Sequence, residues 1–286
     1  MFRSKFAVIL NLLRAKQWVK NFLLIVPFFA TGLQLNLTNL RLLFLGFSSF
    51  CIVASIIYII NDWHDQEFDR LHETKSKRPI ASGEASAKFV GVSVMSLVLL
   101  LFILLTQLNE SFIMVVIIYV FNSLLYTFYL KKIVVVELVS VSMGFILRAY
   151  AGAMIFNIEL SSWFILVTWF SSLYLVLGKR EAEWRKYNQD SKTRSVFKDY
   201  SNTFLKDSKL VSFAVALISY CLWALIQKAD NLYSTLSILP ATVFFLSYSN
   251  QLEKSQSESP ETIMLGSRII LLCLGAILIL LYLSTY

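Results

Sequence analysis

Apolar residues run in stretches of roughly 20, the length an α-helix needs to cross a bilayer, with short polar breaks between them. Nine such stretches are predicted, at 18–35, 40–60, 89–105, 111–130, 133–156, 160–177, 210–226, 232–248 and 263–283. Pro27 interrupts the first and Pro240 lies inside the eighth. Strands alternating over about ten residues, the mark of a transmembrane β-barrel, are missing. The expectation is an all-α, polytopic membrane protein with about nine transmembrane helices, forming one domain over 1–286. Ahead of the first stretch, Phe6 to Leu13 is mostly apolar between Arg3 and Lys5 on one side and Arg14, Lys16 and Lys20 on the other. With no small-residue cleavage site, this predicts an amphipathic helix lying in the membrane interface rather than a signal peptide.

Composition agrees: 57% of residues are hydrophobic and 15% charged, against about 25% charged in soluble domains. The net charge of +8 does not point to nucleic acid, because its distribution is one-sided. With the N-terminus placed in the cytosol, all of the 26 Lys and Arg fall on the cytosolic side except Arg41 and Lys228 outside and Arg148 within a span. Basic residues accumulate on the cytoplasmic side of membrane proteins. An odd number of spans then leaves the C-terminus outside. The three cysteines lie far apart in apolar runs, so no disulfide framework or CxxC site is expected. Only two histidines occur and there is no HExxH, which argues against zinc.

Two long connections face the cytosol, at 61–88 and 179–209, and both open with charged residues at the membrane exit. The first begins NDWHDQEFD. If the preceding helix continues, Asn61, Asp65 and Asp69 sit at i, i+4 and i+8 with Asp62 on the same face. Such a row of oxygen donors repels itself unless a cation lies among them. Hard oxygen ligands suit Mg²⁺, which commonly bridges one or two carboxylates to substrate phosphates. Lys75, Lys77 and Arg78 follow, then Pro79 and Gly83, a cluster able to hold the phosphates. A solvated loop capping a helix is the plainer alternative.

NDWHDQEFD with the downstream KSKRPIASG resembles the first aspartate-rich motif, NDxxDxxxD, of the UbiA superfamily of intramembrane prenyltransferases. The resemblance implies a nine-helix bundle with a cytoplasm-facing active site. It also implies that Asn61, Asp65 and Asp69, assisted by Asp62, hold Mg²⁺ on a pyrophosphate that Lys75 and Arg78 contact. Aromatic prenyltransferases of the superfamily carry a second DxxxD in the later loop, whereas this chain has GKREAE at 178–183. That stretch is similar to the decaprenyl-phosphate phosphoribosyltransferase branch, as are AKQWVKN at 15–21, YTFYLKK at 126–132, GFILRAYAGA at 144–153 and TRSVFKDYSNTFL at 193–205. The branch implies phosphoribosyl pyrophosphate as donor and a polyprenyl phosphate as acceptor. It places Lys16, Lys20, Asn21, Lys75, Arg78, Tyr126, Lys131, Arg148, Lys179, Arg180 and Glu183 among substrate-binding candidates. Its product would be a lipid-linked ribose phosphate feeding arabinofuranose-type cell-envelope glycans, made at the bacterial inner membrane.

Alternatives stay open on the residues themselves. Lys16, Lys20, Lys131 and Lys132 also suit interfacial anchoring, and Arg148 also suits snorkelling to the outer interface. Glu137 and Arg148, 11 positions apart on one helix, stand roughly 16 Å from each other and do not pair. Glu183 suits either the metal shell or a brace for Lys179. An aromatic prenyltransferase of quinone synthesis is the nearest rival function. An ion carrier would need acids at mid-membrane, where only Glu137 is found. Oligomerisation is compatible with all of these readings.

Overall fold

The computed structural model describes residues 5–187, 199–227, 231–254 and 260–284. Its regular structure is helical. Helix α1 (Lys5–Leu12) leads into a ten-residue 3₁₀ segment (Ala15–Leu24), short α2 (Val26–Ala30), long α3 (Leu37–His64) and short α4 (Gln66–Arg70). Then follow α5 (Ala87–Leu105), α6 (Glu110–Phe128), α7 (Val136–Ile155) and α8 (Ser162–Tyr187). The chain ends with α9 (Asn202–Leu222), α10 (Leu232–Leu236), α11 (Ile238–Lys254), α12 (Pro260–Gly266) and α13 (Arg268–Leu283).

Seven helical stretches are long and apolar enough to cross a bilayer, and the protein is an integral membrane protein. The first and ninth predicted spans are the two departures. Residues 18–35 contain a 3₁₀ segment and a short α-helix rather than one span, with Pro27 in the first turn of α2. Residues 263–283 break at Ser267, whose φ of −108° and ψ of 114° are extended, leaving α13 with 16 residues. Polar caps set many of the helix starts. Asn36, Ser86, Asn109 and Ser201 each accept a bond from the backbone N–H three residues on. The Ser201 cap starts α9 eight residues before the predicted span at 210–226. Likewise α8 runs past 177 to Tyr187, so the opening of the second charged connection is helix and not loop. Part of that connection, including residues 193–198 of the branch-like segment, lies outside the described residues.

Among the described residues the two largest apolar clusters fill most of the interior. One joins the N-terminal segment to α3, α6 and α7 through Leu24, Phe28, Phe50, Phe112 and Leu147. The other joins α8, α9, α11 and α13 through Tyr174, Ala216, Phe245 and Ile270. Helix α5 buries only Val90, so most of its apolar surface faces the lipid. On α1, Leu12 is buried against Ile59, Ile80 and Val90 while Phe6, Ile9 and Leu10 stay exposed, as an interfacial helix requires. Helix α7 touches the end of the 3₁₀ segment at Gly152, where a Cβ would stand 1.8 Å from the Leu24 carbonyl oxygen. Only glycine fits that approach.

Charged side chains from distant parts of the sequence gather at one end of this bundle. There the end of α3 meets the N-terminal segment and the α6–α7 connection, and the end of α8 meets the starts of α7 and α9. At the other end, Arg41 of α3 donates to Gln107 beyond α5 at 2.8 Å. Asn109 there donates to the Met154 carbonyl at 2.7 Å.

Candidate active site at the charged end

Helix α3 stops at His64, and Asp65, with φ −94° and ψ 7°, caps it. The break is slight, because the Asp65 N–H still reaches the Asn61 carbonyl at 2.9 Å and the Asp69 N–H reaches the Asp65 carbonyl at 2.8 Å. The predicted acid row therefore survives, bent at its middle member. Asp62 and Asp69 are buried, and Asn61 and Asp65 are half-buried.

Each acid is held by a cation. Asp62 takes a two-pronged contact from Arg14, with Nε donating to Oδ2 at 3.1 Å and Nη2 donating to Oδ1. Arg78 Nη1 donates to Asp62 Oδ1 at 3.1 Å and to Asp69 Oδ2 at 2.5 Å. Lys131, in a 3₁₀ turn after α6, donates to Asp65 Oδ1 at 2.5 Å. Burial and the neighbouring Arg14 guanidinium pull the Arg78 pKa below its ordinary value, in that order of weight. Among the described residues no three or more His, Cys, Asp and Glu converge as a cation cage. The donor set nonetheless fits Mg²⁺ held jointly with a diphosphate. All its members are hard oxygens, and one guanidinium nitrogen already bridges two of the carboxylates as a stand-in cation.

A second charged group lies on α7 and α8. Arg180, 3% exposed, grips Glu137 with Nε and Nη2 at 2.6 Å each and donates from Nη1 to Glu183 at 2.7 Å. Its Nη2 also reaches the Tyr126 hydroxyl at 3.3 Å. Lys179 lies 3.8 Å from Glu183. This geometry makes Arg180 a brace between α7 and α8, and turns Glu183 toward Arg180 and Lys179. The Tyr200 hydroxyl accepts from the Val135 N–H at 3.0 Å and donates to Glu137 at 3.5 Å. Burial pushes the Tyr200 phenol up to about 12. Val135 has φ 66°, rare for a β-branched residue, and the Tyr200 contact helps hold it. Nearby, Lys209 donates to Glu181 at 2.5 Å.

The third group fastens the 3₁₀ segment. Arg148 is 4% exposed, so it does not snorkel. It donates to Asn21 Oδ1 at 2.8 Å, to the Gly144 carbonyl at 2.6 Å and to the Tyr119 hydroxyl at 2.8 Å. Lys20 stands 6.0 Å from the Phe145 ring centroid, and Lys16 is exposed. Lys75 sits half-buried in the 3₁₀ turn Lys75–Lys77. The structure thus brings Asp62, Asp65, Asp69, Arg78 and Lys131 together. Asn21 and Arg148 join the N-terminal segment to α6 and α7. Arg14 escaped the sequence reading, because a basic residue ahead of a membrane span is expected on topology alone. Its position within the basic patch next to the AKQWVKN motif was the only available signal.

The chain as a whole has relatives among known proteins. The UbiA prenyltransferase family model matches residues 22–272. A decaprenyl-phosphate phosphoribosyltransferase from Corynebacterium glutamicum is 33% identical over 268 residues, covering 90% of this chain and 80% of the relative. One from Mycolicibacterium smegmatis is 31% identical over 278 residues, covering 92% and 87%. Among solved structures, a UbiA homolog from Archaeoglobus fulgidus bound to DMAPP and Mg²⁺ superposes with a TM-score of 0.72 at 18% identity. That superposition covers 96% of this chain and 98% of that one.

Proposed function

The chain belongs to the UbiA prenyltransferase family, and from that premise we propose that it transfers 5-phosphoribose from phosphoribosyl pyrophosphate to a polyprenyl phosphate, releasing pyrophosphate. The acid row at the end of α3, with a basic side chain on every member, is the observation that carries the reading. It supplies donors for a metal and cations for phosphates in one place. The similarity to two decaprenyl-phosphate phosphoribosyltransferases over nine-tenths of the chain supports this choice of substrates. The GKREAE at 178–183, in place of a second DxxxD, favours it over aromatic prenylation.

The reaction forms a bond from an acceptor phosphate oxygen to C1 of ribose. It breaks the bond from C1 to the pyrophosphate oxygen, which leaves with the electron pair. The acceptor is already anionic near neutral pH, so no general base is required. What is required is alignment of two anions and neutralisation of the leaving group. Asp65 and Asp69, with Asn61 and Asp62, would hold Mg²⁺, which when bound neutralises charge on the diphosphate. Lys131, Lys75 and Arg78 bind the diphosphate oxygens. Lys16 and Lys20 reach phosphate from the 3₁₀ segment that Asn21 and Arg148 fasten. Arg180, through Glu183, keeps Lys179 turned to the site. The site faces the cytosol at a bacterial inner membrane, with the N-terminus inside and the C-terminus outside. Its product serves lipid-linked pentose synthesis for the cell envelope.

The test supplies purified protein with labelled phosphoribosyl pyrophosphate and polyprenyl phosphate, with and without Mg²⁺. A parallel reaction contains an aromatic acid and a prenyl diphosphate. Metal-dependent label in the lipid is expected. Prenylation of the aromatic acid without lipid labelling sinks the proposal.

A further inference from the structure

A cavity of about 190 Å³ opens beside the acid row, lined by Asn11, Arg14, Thr74, Lys77, Arg78 and Pro79. Three of these six residues are cationic and none is acidic. Asp65 and Lys131 do not line it, so it is separate from that half of the site. Its walls come from the end of α1, the bend that follows, and the 3₁₀ turn Lys75–Lys77 with the residues flanking it.

The two guanidiniums would repel each other if left alone. Asp62 prevents this by accepting from both on one oxygen, Oδ1, while its Oδ2 takes the Nε of Arg14. The Asp62 side chain is 6% exposed, against 19% for Arg14 and 26% for Arg78, so the carboxylate lies behind and the cations in front. Arg14 itself has φ 50° and ψ 46°, a left-handed conformation that a non-glycine residue adopts only where its surroundings demand it. Its guanidinium is further fixed over the Tyr58 ring, at 4.9 Å from the centroid. A strained backbone, a stacking ring and a buried carboxylate all fix one arginine beside another, with a lysine also in the cavity lining. Guanidinium planes match phosphate oxygens in pairs. A phosphomonoester carries a charge of about −1.5 to −2 near pH 7.

We propose that this cavity is a phosphomonoester site, with Arg14, Arg78 and Lys77 as its ligands and Asp62 as the positioning residue that keeps the two arginines side by side. Asp62 thereby leaves metal binding chiefly to Asp65 and Asp69. For its substrates the inference rests on the phosphoribosyl-transfer reading, in which both reactants carry a phosphomonoester: the 5-phosphate of the donor and the head group of the acceptor. Arg78 is then the wall between the monoester and the diphosphate.

Full-length protein in nanodiscs, kept metal-free with EDTA, is titrated calorimetrically with ribose 5-phosphate and, separately, with farnesyl phosphate. The wild type is expected to bind at least one of them, and Arg14→Gln and Lys77→Gln each to weaken that binding at least tenfold. Lys77 is exposed, so its variant keeps the fold. Loss for ribose 5-phosphate identifies the donor's tail, and loss for farnesyl phosphate identifies the acceptor's head; either supports the site. Absence of metal-free binding in the wild type, or equal binding by wild type and both variants, overturns it. Lipid labelling in the transfer assay reports on the substrate reading separately. Variants that transfer label normally but bind monoester as the wild type does sink this inference alone.

Discussion

At the residue scale, the acids of the site differ in what surrounds them, and their substitution should differ accordingly. Among the described residues, Asp65 pairs with Lys131 and Asp69 with Arg78, and no backbone N–H bonds to either side chain. Asp65→Ala and Asp69→Ala are expected to abolish turnover while leaving membrane insertion and solubilised yield unchanged; retained turnover in both removes the acid row from the chemistry. Glu137 and Arg180 present the opposite case, with side chains 1% and 4% exposed and joined by two bonds of 2.6 Å. Removing one partner of a buried pair strands the other and costs about 3–5 kcal/mol. Glu137→Gln should therefore lower the unfolding midpoint in detergent sharply. Arg180→Met combined with Glu137→Gln should cost less than the sum of the two single changes, because the double variant leaves neither charge unpaired. Additive losses would show that the pair is not coupled.

At the scale of elements, the apolar pattern foretold most helices, because a continuous span is written as a continuous apolar run. It was least informative where side-chain contacts, not hydropathy, decide the backbone. The 3₁₀ stretch Ala15–Leu24 is one example. It is held by Arg148 on Asn21, by Trp18 donating to Ser55 at 3.0 Å, and by the close approach at Gly152. None of those partners is near it in sequence. The second is α8, whose last turns carry Lys179, Arg180, Glu181 and Glu183 beyond the apolar stretch. Tertiary ion pairs stabilise them there, and ion-pair partners cannot be read from spacing. The meeting of Asp62, Asp69 and Arg78 was legible because they lie within 16 residues of one another, whereas Arg14 lies 48 residues from Asp62 and only the fold joins them. Gly152→Ala tests the close approach of α7 to Leu24. Its methyl would collide with backbone, and overpacking of that kind costs about 1–3 kcal/mol. The thermal midpoint should fall and the 3₁₀ segment should become more accessible to protease. An unchanged midpoint would mean that the segment is held elsewhere.

At the scale of the whole molecule, the bundle has two unlike ends, one gathering ion pairs and the other closed by amides such as Asn109 on the Met154 carbonyl. Single cysteines placed at exposed Lys77 and Arg41 in a chain stripped of Cys51, Cys221 and Cys273 should react with impermeant thiol reagent from opposite faces. Lys77→Cys should label only in inverted vesicles and Arg41→Cys only in right-side-out ones. Labelling of both from one face would reject the placement of the two ends on opposite sides of the membrane.

The pairing of every acid with a basic side chain carries a thermodynamic consequence. A divalent cation arriving alone must displace Arg78 or Lys131 from a carboxylate, and a diphosphate arriving alone must draw the same side chains away from their acids. Arriving together, the two ligands exchange partners and leave no charge stranded. Each should therefore raise the other's affinity by an equal factor, commonly 5- to 150-fold or about 1–3 kcal/mol for coupled sites. Calorimetric titration of Mg²⁺ with and without inorganic pyrophosphate would measure that factor. Independent affinities would mean that the resting ion pairs are not what opens when the site fills.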